Sequence, residues 1–392
     1  MYKISSRSGF VILFAINFLV TFSFAVNDSM FSLFCEDNYI SGFIFGLVFA
    51  VYSLTKIISA PFAGKLADRF GTHKILFTAL VLYTLVPCFF LITDDKAVII
   101  TVRIIQGLAC AMFRPVIYCF FPATSARKGR IFALFDLSFY SAIALAPYSG
   151  SLILENFGFS GVFTSMLACC IAALAVFPAI LPEKPALKSI PETQISKCSR
   201  NAINPLLIYI FFRGWSISVM TAFLPIYLSS MDIPLSRIGF ILSAAAAFTT
   251  ISLPLCGRLT DIIHKETLIA AGGFCVSFTT IFTVFFSGFG EIFLLMSMGG
   301  IFTAMSQPAC LSFIMENTDE CSLGHSMGKF NAFMGMGFAS GPAFGAMLSS
   351  AAGLKSVFIL TGILGIISVF VFMYGTQSYP SRTRASEFKK IF

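Results

Sequence analysis

Twelve apolar stretches of about 20 residues each, parted by short polar joints, leave this chain few ways to fold. They run over about 10–34, 40–63, 75–93, 97–122, 131–154, 161–181, 204–228, 236–256, 266–287, 291–314, 327–350 and 356–375. At 1.5 Å per residue, about 20 apolar residues cross the ~30 Å hydrocarbon layer of a bilayer. Every backbone N–H and C=O must find a partner inside the chain there, which permits helices or a closed barrel. The stretches are too long for barrel strands and lack sustained two-residue alternation. The pattern therefore predicts an all-α polytopic membrane protein with twelve transmembrane helices. Composition agrees, with 57% hydrophobic and 11% charged residues, against about 25% charged in soluble domains. The first stretch follows only Lys3 and Arg7. It is too long for a signal-peptide core and no small-residue cleavage site follows it, so it is expected to stay as a span.

The basic residues orient the spans. With the N-terminus in the cytoplasm, 18 of the 26 Lys and Arg fall in cytoplasmic segments, while only Lys96, Arg237 and Lys355 fall outside. This bias predicts a multi-pass protein of the cytoplasmic (inner) membrane with both termini cytoplasmic. The net charge of +8 is then a matter of topology, and no nucleic-acid partner is expected.

The longest polar joint, "PEKPALKSIPETQISKCSRNAIN", reads as a cytoplasmic linker over 182–203 between a six-helix bundle at 1–181 and another, with a short cytoplasmic tail, at 204–392. The two halves repeat each other. "GLACAMFRP" from Gly107 aligns with "GIFTAMSQP" from Gly300, and "GKLAD" from Gly64 with "GRLTD" from Gly257, both at an offset of 193. "APYSGSLILENFGFSGVF" from Ala146 aligns with "GPAFGAMLSSAAGLKSVF" from Gly341 at an offset of 195, matching Gly158 with Gly353.

With those residues in view, the chain resembles the major facilitator superfamily over nearly its whole length. The main carrier is "GKLADRFGTHKIL", in which Gly64, Leu66, Asp68, Arg69, Gly71 and Lys74 fit the family's pattern between the second and third spans. Arg103, Gln106 and Gly107 fit its fourth-span Arg-x-x-Gln-Gly pattern. "GPAFG" in the eleventh span is similar to a Gly-Pro motif usually seen in the fifth, where this chain has "APYSG". Thr72 and His73 stand where the family often has basic residues, and "GRLTDIIHK" lacks the second glycine. The resemblance implies a fold of two six-helix repeats and secondary transport by alternating access. Its motifs are nearest to those of proton-coupled drug-type exporters. It also implies a conformational latch in which the 64–74 turn meets the start of the eleventh span, near Ser326 to Lys329. Gly64, Asp68, Arg69 and Gly71 would serve in the first half, Gly257 and Asp261 in the second. On physical grounds the two glycines permit close helix approach or unusual backbone angles, and Asp68 is an anion able to face a helix N-terminus.

Charges inside the spans are the candidate chemistry, because each costs about 2.5–3.5 kcal/mol at the bilayer centre on insertion scales. Arg103 in the fourth span and Asp28 in the first each lie about 9 Å from the outer end. Matched depth makes an Asp28–Arg103 pair a candidate for proton coupling, since a carboxylate beside an arginine can exchange a proton for its ion pair. Arg114 lies about 12 Å and Arg213 about 14 Å from the cytoplasmic end of their spans. These two, with Gln307 at the repeat position of Arg114, are the candidate substrate-binding residues. Asp136 is a possible partner for Arg114 or Arg69. Lys56 and Lys329 are placed to snorkel.

Other chemistry is sparse. His73, His264 and His325 fall in cytoplasmic joints without metal-ligand spacing, and no H-E-x-x-H or phosphate-cradling G-x-x-x-x-G-K-[ST] occurs. The 11 cysteines contain no C-x-x-C and read as small buried hydrophobes. No cofactor or metal is expected, and no enzymatic activity. The expected function is a secondary transporter for a small molecule, working as a monomer in the lipid bilayer, with proton-coupled efflux ahead of organic-anion transport. A non-transporting sensor ranks below both, because no joint is long enough to hold a signalling domain.

Overall fold

The computed structural model describes residues 7–92, 95–118, 120, 128–179, 200–318 and 323–378. Among these residues the secondary structure is helical with no strand. Eleven helices follow in order: α1 (Arg7–Asp37), α2 (Gly42–Phe70), α3 (Thr72–Ile92), α4 (Lys96–Tyr118), α5 (Lys128–Val176), α6 (Arg200–Ser229), α7 (Leu235–Ile262), α8 (Lys265–Phe282), α9 (Phe289–Asn317), α10 (Leu323–Ala352) and α11 (Leu354–Ser378). The 49-residue α5 is two rods in one, broken at Gly158 (φ 65°, ψ −169°). Counting its two arms separately, the helices match the twelve apolar stretches one for one. Among the described residues nine helices are long and apolar enough to cross a membrane, and α5 is one of these. The linker falls outside the described residues as far as residue 199.

Backbone contacts divide the chain into two compact units, Met1–Ser189 with Pro225–Ser243, and Ile190–Leu224 with Ala244–Phe392. In the first, α1 is held along α5: the Asn17 amide donates to Ser138 Oγ (2.7 Å) and the Ser23 hydroxyl donates to the Met166 carbonyl (3.0 Å). These are buried polar pairs inside an apolar bundle, where each satisfies a group that hydrocarbon cannot. One end of this unit is an aromatic core. Phe34 meets Phe163 edge-on with ring centroids 5.2 Å apart, Phe90 stacks on Phe163 at 4.9 Å, and Phe31 meets Phe49 edge-on at 5.6 Å. Such pairs prefer offset or edge-to-face geometry and contribute about 0.5–1.5 kcal/mol each beyond burial.

The second unit packs Leu206, Ile210, Leu268, Phe313 and Phe372 into its core. Small residues bring α10 onto α6. A Cβ on Gly337 would collide with the Phe211 carbonyl, and one on Gly214 with the Met334 carbonyl. Helices in lipid gain little from burying apolar surface, so close backbone approach at small residues supplies packing instead. Lys265, at the start of α8, forms an ion pair with Glu316, near the end of α9.

The sequence repeat reappears in the packing of each unit. A Cβ on Gly107 of α4 would collide with the Tyr52 carbonyl of α2, and one on Gly300 of α9 with the Ala245 carbonyl of α7. Both the glycines (300 − 107) and their partners (245 − 52) are 193 residues apart. Gly158 and Gly353 each adopt positive φ, 65° and 81°, and each ends one helical rod just before the next begins.

Candidate functional site

Arg103 projects from α4 against α1 in the first unit. Its side chain is only 1% exposed, and its Nη1 lies 3.1 Å from Asp28 Oδ1, the carboxylate being 26% exposed. The same nitrogen donates to Gln106 Oε1 at 2.9 Å, an i to i+3 contact on one helix face. The guanidinium carbon sits 3.4 Å over the Phe31 ring, with the Phe49 ring at 5.3 Å and the Tyr52 ring at 5.8 Å. Aromatic faces attract a cation most strongly when water is excluded, by about 2 kcal/mol. The arginine is thus held by one carboxylate, one amide and three rings. Its Nε and Nη2, and Gln106 Nε2, are buried without a hydrogen-bond partner among the described residues.

The site residues proposed from the sequence distribute as follows. Asp28 and Arg103 are brought together. Arg114, three turns along α4, lies with its guanidinium carbon 3.7 Å over the ring of Phe139 on α5, and its Nη1 is buried without a hydrogen-bond partner among the described residues. In the second unit Arg213 of α6 reaches α9, where its Nη2 donates to the Thr303 carbonyl and to Gln307 Oε1, each at 3.4 Å. Cys310 and Tyr209 lie beside Arg213, and Ser306 beside Tyr209. Arg213 and Gln307 therefore form one cluster, in which the cation's hydrogen-bond acceptors among the described residues are neutral.

At the turn between α2 and α3, Gly71 caps α2 with φ 92°, and its N–H bonds the Ala67 carbonyl. Arg69 lies over the neighbouring Phe70 ring at 5.3 Å. A Cβ at Gly64 or Gly257 would meet no described atom within 4 Å, so neither glycine is required by a close approach within its unit. The position equivalent to Gly71 is His264, with φ −55°, where no glycine is needed. The side chains of Asp68 and Asp261 lie outside the described residues, as does that of His325.

Phe31, Tyr52 and Phe139 were not legible as site residues. Phe31 follows Asp28 at i+3, the one available signal, but 48 phenylalanines give no reason to prefer it. Among the described residues no group of His, Cys, Asp and Glu is arranged to hold a metal.

An all-α bundle built from an internal repeat, crossing the membrane many times and holding ionised side chains among its helices, defines a transporter class. The sequence signature of the Major Facilitator Superfamily matches residues 13–294 and 206–391, and the chain belongs to this family. It is a multi-pass membrane transporter of small molecules and not an enzyme. An uncharacterised MFS-type transporter of Methanocaldococcus jannaschii is 28% identical over 170 residues, which is 43% of this chain and 44% of that protein. Multidrug resistance protein 2 of Bacillus subtilis (strain 168) is 22% identical over 362 residues, covering 86% of this chain and 88% of its own length. Among solved structures, an inward-facing, occupied bacterial homologue of the human lysosomal transporter Spinster superposes with TM-score 0.83 at 13% identity, covering 97% of this chain and 98% of its own. At that identity the likeness is one of fold.

Proposed function

We propose that this protein expels small amphipathic compounds by alternating access, driven by protons entering at Asp28 and Arg103. The observation that carries the reading is the Asp28–Arg103 ion pair, because a salt bridge buried between two transmembrane helices is costly to desolvate and a proton on the carboxylate dissolves it. The carboxylate is the more exposed partner, so protons can reach it while the arginine stays enclosed. A relative named for multidrug resistance supports the direction and substrate class. In this reading the protein acts as a monomer in the cytoplasmic membrane with both termini inside. The polar turns with Gly64, Asp68, Arg69, Gly71, Gly257 and Asp261 act as the latch between its halves, divided by the 182–203 linker.

The test is dye transport in proteoliposomes under an imposed proton gradient. Asp28→Asn should abolish gradient-driven movement of a lipophilic cationic dye while leaving the protein folded. Undiminished gradient-driven transport removes Asp28 from the mechanism.

A second reading, transport of an organic anion, is favoured by Arg114 and Arg213. One lies on an aromatic ring and the other bonds neutral oxygens, so both retain positive charge that an anionic substrate can answer.

A further inference from the structure

We propose that Arg103 and Gln106 form a binding site for a small monovalent anion, occupied when Asp28 is protonated. The proposal rests on the reading of Asp28 as the proton site.

The geometry begins with the arginine fork. Asp28 and Gln106 both use Nη1, so the carboxylate holds only one corner of the guanidinium. Nε–H and one Nη2–H point in parallel from the opposite edge, the arrangement by which arginine grips an anion with two bonds. That edge has no acceptor among the described residues, and neither has Gln106 Nε2. Arg103 is 1% and Gln106 0% exposed. The unmet donors therefore belong to two side chains already in contact, both shut away from bulk water. The Phe31 ring covers a face of the guanidinium at 3.4 Å, leaving its edge as the place for a ligand. Two parallel N–H groups of Arg103, with a further unmet donor on the adjoining Gln106, suit a small anion such as chloride.

Charge supplies the linkage to the proton. With Asp28 ionised, the pair sums to zero and a further anion would add an uncompensated buried charge. With Asp28 protonated, the buried guanidinium has no counter-charge, a costly state in low dielectric. An anion on the free edge returns the sum to zero, so one proton and one anion enter together. Among the described residues, the other titratable groups near the pair are Cys35 on α1, Tyr52 on α2 and, beside Tyr52, Cys110 on α4. Tyr83 on α3 adjoins the same thiol, and Lys56 lies 6.0 Å over the Tyr52 ring. From α5 the adjoining aromatic core contributes Phe159 and Phe163, which do not titrate. Of the groups named, only Asp28 is a carboxylate.

The experiment uses the purified full-length protein with chloride as the probe, read by broadening of the chloride magnetic-resonance line. The parent should bind chloride at acid but not alkaline pH, and Asp28→Asn, which imitates the protonated acid, should bind it at both. Adding Gln106→Leu to Asp28→Asn should weaken binding about tenfold, the usual loss for one hydrogen bond to a charged ligand. Adding Gln106→Glu instead should abolish it by placing a second negative charge there, which keeps the test open if the leucine variant fails to fold. No broadening by Asp28→Asn beyond that of the parent at alkaline pH overturns the site and leaves the donors to water. Broadening that both Gln106 variants leave unchanged arises from surface cations and overturns it equally. Proton-driven dye transport measured alongside separates the two readings. If Asp28→Asn binds no chloride yet loses coupled transport, the anion site fails and the proton site stands. If it binds chloride yet keeps coupled transport, the anion site stands and the proton reading fails.

Discussion

Arg103 is defined by shape as much as by charge. A lysine there would keep the positive charge but lose the planar group that lies on Phe31 and the second donor direction that reaches Gln106. Arg103→Lys is therefore expected to reduce proton-driven transport at least about tenfold, and failure to do so in the proteoliposome assay would show that a bare cation suffices. Phe31→Leu removes the ring beneath the guanidinium and should lower stability by about 2 kcal/mol or more through the lost cation–π contact and cavity, measured as a fall in melting temperature in detergent. The two charges were legible because an ionised side chain in an apolar stretch is conspicuous and helix rise converts position into depth. The aromatic box was not, since a phenylalanine among phenylalanines carries no label of its own. The Arg213–Gln307 contact was half legible: both residues stood out, but reach between two helices depends on rotation about their axes, which spacing along one helix does not give.

Helices in this protein end and meet at glycines that fall into two kinds. Gly107 and Gly300 are needed for space, because a side chain would enter a neighbouring carbonyl. Gly158 is needed for its backbone, with φ 65° and ψ −169°, a region open almost only to glycine. Gly107→Val and Gly300→Val should each destabilise by about 1–3 kcal/mol from overpacking, and Gly158→Ala by about 1–3 kcal/mol from strain. Gly64→Ala and Gly257→Ala, where a Cβ meets no described atom within 4 Å, should change unit stability by no more than about 0.5 kcal/mol. Thermal melts of the five variants in one detergent check the division. A transport defect in the last two without loss of stability would assign them to the latch. The helices themselves were plain in the sequence because hydrocarbon length imposes one period on every span. The merger of the fifth and sixth stretches into one helix with a sharp break was not, since Gly158 reads as an ordinary joint until its backbone angles are known.

On the scale of the whole molecule, the two halves repeat each other in sequence but differ in charge. Arg114 stands where the second half has Gln307, and Arg103 stands where it has Met296. Arg114→Gln, which copies the repeat, should keep the fold and weaken binding of anionic substrates more than neutral ones. Equal affinity of variant and parent for both kinds, in a direct binding titration, would make Arg114 structural and sink the anion reading. The repeat and the span count were readable at this scale from short segments at a constant offset. The assignment of 225–243 to the first compact unit was not, since it is a property of packing with no mark in local sequence.

The joint between α2 and α4 and its counterpart between α7 and α9 have a historical consequence. Each is made by a missing side chain against a main-chain carbonyl, once at Tyr52 and once at Ala245. Neither depends on what the partner residue carries beyond Cβ. After an ancestral half was duplicated, drift at these partner positions could therefore leave the joint untouched. Each copy was free to acquire its own polar chemistry one or two turns away, and to keep the same close contact of bare backbone beneath it.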